Sequence, residues 1–123
     1  MQTRRILIVD DSEPFLKYIA MILRRTPETE IVGAVASLGE AIACAAAAVV
    51  DVVLLDASVL SGEKRGVIQQ LRATRREMKI VLMSGFDLPE CREYAGDLGA
   101  DLFISKLDLN TDLLPLMERL CPR

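Results

Sequence analysis

Histidine is absent from the 123 residues, and so is tryptophan. Without histidine there is no Ser-His or Cys-His nucleophile pair, no imidazole metal ligand and no phosphohistidine on this chain. Cysteine is scarce. Cys44, Cys91 and Cys121 stand far apart, in no metal-ligand spacing, and an odd number does not make a disulfide framework. They read as reduced thiols filling apolar space in a cytoplasmic protein. No apolar run approaches the roughly 20 residues that span a bilayer. The short apolar stretch near the start breaks at Asp10-Asp11, unlike a secretory signal. Positive charge is not in excess either. A net charge of −3 argues against direct nucleic-acid binding.

What the chain does have is 51% hydrophobic and 27% charged residues, an ordinary soluble globular balance. Its length suits one domain, residues 1–123, with a core that needs no covalent staples. Val-Val-Leu-Leu-Asp56 is the central stretch. Four apolar residues, half of them β-branched, suit a strand covered on both faces of a parallel sheet. Residues 5–9, 30–36, 79–83 and 101–104 read as further strands.

Between the strands the pattern turns helical. Ser12 or Asp11 caps a first helix with Pro14 in its opening turn, and Phe15, Ile19, Ile22 and Leu23 form its apolar face. An alanine-rich segment, 39–49, favours helix. Residues 63–76 carry Val67, Ile68 and Leu71 at helical spacing, with a basic far face. Residues 88–98 form a fourth helix closed by Gly99, and 112–120 a fifth, capped by Asn110 or Thr111. Strict alternation of strand and helix predicts an α/β fold, a doubly wound five-stranded parallel sheet with helices on both faces.

In such a sheet the carboxyl ends of the strands share one edge, where ligands bind. Asp10 and Asp11 end the first strand, Asp56 the third, Ser84 the fourth and Lys106 the fifth. Each alone is unremarkable: an acid that caps a helix, a turn serine, a surface lysine. Together at successive strand ends they describe a site. Three carboxylates resist ionising side by side, and a hard divalent cation such as Mg²⁺ relieves them. A lysine and a hydroxyl add donors for a phosphoryl group, so the set fits phosphoryl transfer to a carboxylate.

The motifs Ile-Leu-Ile-Val-Asp10-Asp11-Ser12, Val-Val-Leu-Leu-Asp56, Val-Leu-Met-Ser84-Gly85 and Gly99-Ala-Asp-Leu-Phe103-Ile-Ser-Lys106, in that order, resemble the receiver domains of bacterial response regulators over essentially the whole chain. The resemblance implies a flavodoxin-like strand order, 2-1-3-4-5. It implies Asp56 as phosphoacceptor, and Mg²⁺ or Mn²⁺ held by Asp11, Asp56, the backbone carbonyl of Ser58 and, through water, Asp10. Ser84 and Lys106 would contact the phosphoryl group, and Ser84 with Phe103 would form the switch. It also implies a histidine kinase or phosphotransfer protein as donor. The output is either a partner protein or an effector domain missing from this chain. The face of helix 4, strand 5 and helix 5, roughly residues 88–120, carries that output or a homodimer contact. Such a domain assists its own phosphorylation and dephosphorylation without being a conventional enzyme.

The chain departs from the family pattern in places. Leu60 and Lys64 stand where proline and glycine are usual, which points to a reshaped loop over 58–66. Leu107 follows Lys106 where proline is usual. Phe86, two residues after Ser84, would screen an acyl phosphate from water. The altered loop favours an alternative function, a receiver-like interaction module that signals without phosphorylation. A phosphate-ester hydrolase using an aspartyl phosphate is a further option, but no second acid lies two residues after Asp56.

Overall fold

The computed structural model describes residues 3–60, 65–86 and 89–121. The expectations for Gly62, Lys64, the start of the third helix and Leu88 fall on residues outside these. The strands are β1 (Arg4–Val9), β2 (Thr29–Val35), β3 (Val52–Asp56), β4 (Lys79–Ser84) and β5 (Leu102–Ser105). The helices are α1 (Glu13–Arg24), α2 (Leu38–Ala47), α3 (Arg65–Thr74), α4 (Pro89–Leu98) and α5 (Leu109–Leu120). All pairings are parallel and the order is β2-β1-β3-β4-β5.

The period of 2 along each strand sorts side chains to opposite faces. Leu7, Val9, Val53, Leu55, Ile80 and Leu82 pack against Ala41 and Ala45 of α2, Ile68 and Leu71 of α3, and Ala95 and Leu98 of α4. Ile6, Ile8, Val52, Leu54, Val81 and Met83 pack against Ile19, Ile22 and Leu23 of α1 and Leu113, Leu116 and Met117 of α5. Every residue of β3 is buried, as its unbroken apolar run requires. Each fully covered Leu or Ile contributes roughly 1.5–3 kcal/mol.

The alanines of α2 bring it close to the sheet, and Gly33 permits the approach. A Cβ on Gly33 would lie 2.8 Å from the Cys44 sulfur and 3.0 Å from Leu7 Cδ1. The β1–β2 register shifts at this point, between Ile6 opposite Ile31 and Leu7 opposite Gly33. Gly99, with φ of 86°, ends α4 in the left-handed region as expected.

Two boundaries differ from the sequence reading for identifiable reasons. β1 begins at Arg4, whose backbone N–H donates to the Glu28 carbonyl at 2.8 Å. The Arg4 guanidinium is buried and donates to the Cys121 carbonyl (2.9 Å) and Glu118 Oε2 (2.9 Å), tying β1 to the end of α5. α5 begins at Leu109, ahead of both expected caps, because a 3₁₀ turn over Lys106–Asp108 runs straight into it. Thr111 therefore lies inside the first turn, where its hydroxyl donates to the Asp108 carbonyl at 3.2 Å.

Two arginines of the basic segment over 63–76, Arg72 within α3 and Arg75 just after it, form ion pairs. Arg75 pairs with Asp51 at 3.1 Å, and Asp51 also accepts from the Arg5 N–H at 2.9 Å. Arg72 pairs with Asp101 at 2.6 Å, and Asp101 accepts from the Ile80 N–H at 2.7 Å. These acids stitch strand starts together at the amino edge of the sheet. The carboxyl edge is left for other chemistry.

Candidate functional site

Register alone brings the acids together. Val9 lies opposite Leu55, so Asp10, one residue on, falls beside Asp56. Asp10 is held there because its N–H donates to the Val35 carbonyl at 3.0 Å, and its Oδ1 accepts from the Ser12 N–H at 2.8 Å. Ser12 caps α1 by accepting from the Phe15 N–H at 3.5 Å, one of the two caps expected from sequence. Asp10 is fully buried, Asp56 nearly so, and Asp11 exposed. One carboxylate oxygen from each lies within 4.8 Å of the others.

Lys106 enters from the loop after β5. Its Nζ stands 2.6 Å from Asp10 Oδ2 and 3.0 Å from Asp56 Oδ1, with the side chain 10% exposed. Burial works against the ammonium, but the hydrogen bonds to Asp10 and Asp56 and their negative charges outweigh it. The Lys106 pKa is raised above the ordinary lysine value. The ring of Phe15 covers the ammonium from α1, with its centroid 4.3 Å from Nζ.

Ser58, in the 3₁₀ turn Ala57–Leu60 after β3, adds its hydroxyl. It donates to Asp56 Oδ2 and lies 3.4 Å from Asp11 Oδ1. The sequence reading assigned only the Ser58 backbone to this site. Ser84 ends β4, one residue beyond Met83, which lies opposite Asp56. Its hydroxyl accepts from the Phe86 N–H at 3.1 Å, so in this state it serves its own loop. Phe86 is left 71% exposed, and the expected screen over Asp56 is not formed here. Phe103 lies on β5 opposite Leu82, away from the acids, half-buried with the Arg92 guanidinium 4.8 Å above its ring.

The loop after Lys106 is held without proline. Buried Ser105 accepts from the Leu107 N–H at 3.2 Å, a donor that proline lacks. Leu107 itself is 81% exposed. Sequence reasoning missed three contributors: the Ser58 hydroxyl, Ser105 and the Phe15 ring. Only Phe15 left a signal, since it stands in the first turn of a helix that starts beside Asp11.

Two buried carboxyl groups, Asp10 and Asp56, thus face one ammonium, with the exposed Asp11 carboxyl beside them. The all-oxygen donor set, with one exposed member, suits a hard divalent cation.

Sheet order and acidic edge together define a receiver domain of flavodoxin-like architecture. The sequence model described as the response regulator receiver domain matches residues 6–116, and the chain belongs to that family, a component of two-component signalling. It is 38% identical over 105 residues to the photosynthetic apparatus regulatory protein RegA of Rhodovulum sulfidophilum, covering 82% of this chain and 54% of that protein. The chain spans about half the length of the curated relatives it matches. Among solved structures, a CheY-like response regulator receiver domain protein from Methanospirillum hungatei superposes with a TM-score of 0.77 at 28% identity, covering 97% of this chain and 94% of that one. A crystal structure of the P1 domain of CheA3 in complex with CheY6 from R. sphaeroides matches over 100% of both chains with a TM-score of 0.83 at 24% identity. Among the described residues no helix is long and apolar enough to cross a membrane.

Proposed function

We propose that residues 1–123 form one receiver domain working as a phosphorylation-activated switch in the cytoplasm. Asp56 accepts a phosphoryl group from a phosphohistidine on a histidine kinase or phosphotransfer protein. The observation that carries this reading is the meeting of Asp10, Asp11, Asp56, Ser58 and Lys106 at the carboxyl edge of one sheet. A carboxylate oxygen of Asp56 bonds to phosphorus, the N–P bond of the donor breaks, and imidazole leaves. Asp10, Asp11, Asp56 and the Ser58 carbonyl would hold Mg²⁺ or Mn²⁺, which when bound neutralises charge on the transferring group.

The remaining roles belong to the chain's own groups. Lys106, already on Asp56 Oδ1, pairs with the phosphoryl oxygens. The Ser84 hydroxyl leaves the Phe86 N–H and donates to the phosphoryl group. Phe103 follows it inward, and the α4–β5–α5 face changes its affinity for an output partner or a second copy. The chain is a switch rather than an enzyme with turnover on a separate substrate. The donor class is supported by the structural neighbour in which a CheA3 P1 domain is bound to CheY6.

The test is incubation of the protein with Mg²⁺ and acetyl phosphate, followed by intact mass and hydroxylamine treatment. The expected result is one hydroxylamine-labile phosphoryl group, absent in Asp56→Asn and without Mg²⁺. A stable adduct, or one that survives in Asp56→Asn, would overturn the assignment.

A further inference from the structure

We infer that Phe15 is a positioning residue for Lys106, its ring face holding the ammonium beside the acceptor carboxylate while the nitrogen exchanges its other partners. The inference rests on the proposed phosphorylation of Asp56.

The ammonium presents three N–H bonds. Asp10 Oδ2 at 2.6 Å and Asp56 Oδ1 at 3.0 Å take two directions, and the Phe15 ring lies along another, 4.3 Å from Nζ to its centroid. The four-carbon stem of lysine is flexible, so something must select this rotamer. The following residue does not, because Leu107 is 81% exposed. Phe15 is itself fixed. Its N–H is held by Ser12, its ring meets Tyr18 edge-on at 6.1 Å and 86°, and it packs against the apolar cluster beneath α1.

The chemistry of the three partners differs in a way that matters for a switch. Asp10 and Asp56 are also the groups that a divalent cation and a phosphoryl group would engage. An aromatic face attracts a cation without taking its proton and without binding Mg²⁺. The ring contact therefore persists when the carboxylates are drawn elsewhere. The ring sits on α1 and the lysine after β5, so the contact spans two separate elements and fixes the distance between them at the site.

The experiment is an NMR titration of the full chain with Mg²⁺ and beryllofluoride, a phosphoryl mimic. It compares wild type, Phe15→Leu, Phe15→Tyr and Phe15 replaced by trifluorophenylalanine, which keeps the ring's shape but weakens its attraction for cations. Phe15→Leu and the trifluoro variant are expected to bind the mimic roughly 2- to 30-fold more weakly, with Phe15→Tyr near wild type. The Lys106 Hε signals, displaced upfield by the ring in wild type, return toward ordinary values in Phe15→Leu. A trifluoro variant that binds as tightly as wild type reduces Phe15 to packing and overturns the inference, while the switch reading stands. That variant, isosteric with phenylalanine, also decides the matter if Phe15→Leu fails to fold. Lys106 Hε signals without ring displacement in wild type overturn the contact itself. Displaced signals with no beryllofluoride binding by wild type overturn the switch reading, and the positioning role falls with it.

Discussion

Lys106 is the residue on which the resting site balances. Asp10 is fully buried, and Lys106 at 2.6 Å is the cation beside it. Replacing Lys106 by Met leaves that carboxylate in the interior without its partner, an error that typically costs about 3–5 kcal/mol. In Mg²⁺-free buffer, denaturant melts of Lys106→Met are expected to show a loss of that order. The same variant should bind Mg²⁺ more tightly than wild type in a calorimetric titration, because no ammonium competes for Asp10 and Asp56. The pH dependence follows from the raised Lys106 pKa, in which the two carboxylates outweigh burial. A raised lysine pKa contributes stability in full below the unfolded value of about 10.4 and loses it as pH rises through the folded value. On the alkaline side, then, the gap between wild type and Lys106→Met should hold up to about pH 10 and narrow above it, by the part that the raised pKa contributes. Phe86 is a different case, since its ring is 71% exposed. Phe86→Ala should change the dephosphorylation rate by less than about twofold, the range of a surface substitution. A large acceleration would show that the ring closes over Asp56 after phosphorylation.

Among the elements, β2 and α2 show how a small residue sets a packing distance. A methyl at position 33 would meet the Cys44 sulfur at 2.8 Å and Leu7 Cδ1 at 3.0 Å. Gly33→Ala is therefore expected to destabilise the domain by about 1–3 kcal/mol, the usual cost of overpacking. Cys44→Ala in the same chain should recover part of the loss, and an additive double-mutant cycle would contradict that contact. The sequence showed a glycine inside a β-branched run but not what pressed against it. Local patterns read the elements well because strand burial and helical periodicity are written in consecutive residues. β3 and the Ser12 cap were legible for that reason. The start of α5 was not. Asn110 and Thr111 both look like caps, and only the 3₁₀ turn anchored by Ser105 moves the helix start to Leu109.

For the molecule as a whole, the parallel sheet divides labour between its edges. At the amino edge Arg4, Asp51 and Asp101 spend their charge on neighbouring strands and helices. At the carboxyl edge the acids Asp10, Asp11 and Asp56 remain grouped together, with Lys106 paired to Asp10 and Asp56. The alternating pattern made this grouping legible, since strand ends in a parallel sheet must share an edge. The Ser58 hydroxyl was not legible, because its contact depends on a turn, and Phe15 signalled only its place beside Asp11, since its contact with Lys106 depends on side-chain directions across separate elements. Binding of a cation only to the folded state stabilises that state by mass action. Mg²⁺ at about ten times its dissociation constant should add about 1.4 kcal/mol and raise Tm by roughly 4–8 °C. Asp11→Asn should remove most of that increment, and an unchanged increment would move the cation elsewhere.

The most direct measurement is a pair of amide NMR spectra of the full chain in Mg²⁺, before and after addition of beryllofluoride, repeated on Asp56→Asn. The expected result is a saturable set of shifts at Asp56, Ser84 and Lys106, extending to Phe103 and the α4–β5–α5 face, and absent from Asp56→Asn. Spectra that do not change at high Mg²⁺ would contradict the phosphorylation switch and leave a receiver fold that signals by contact alone.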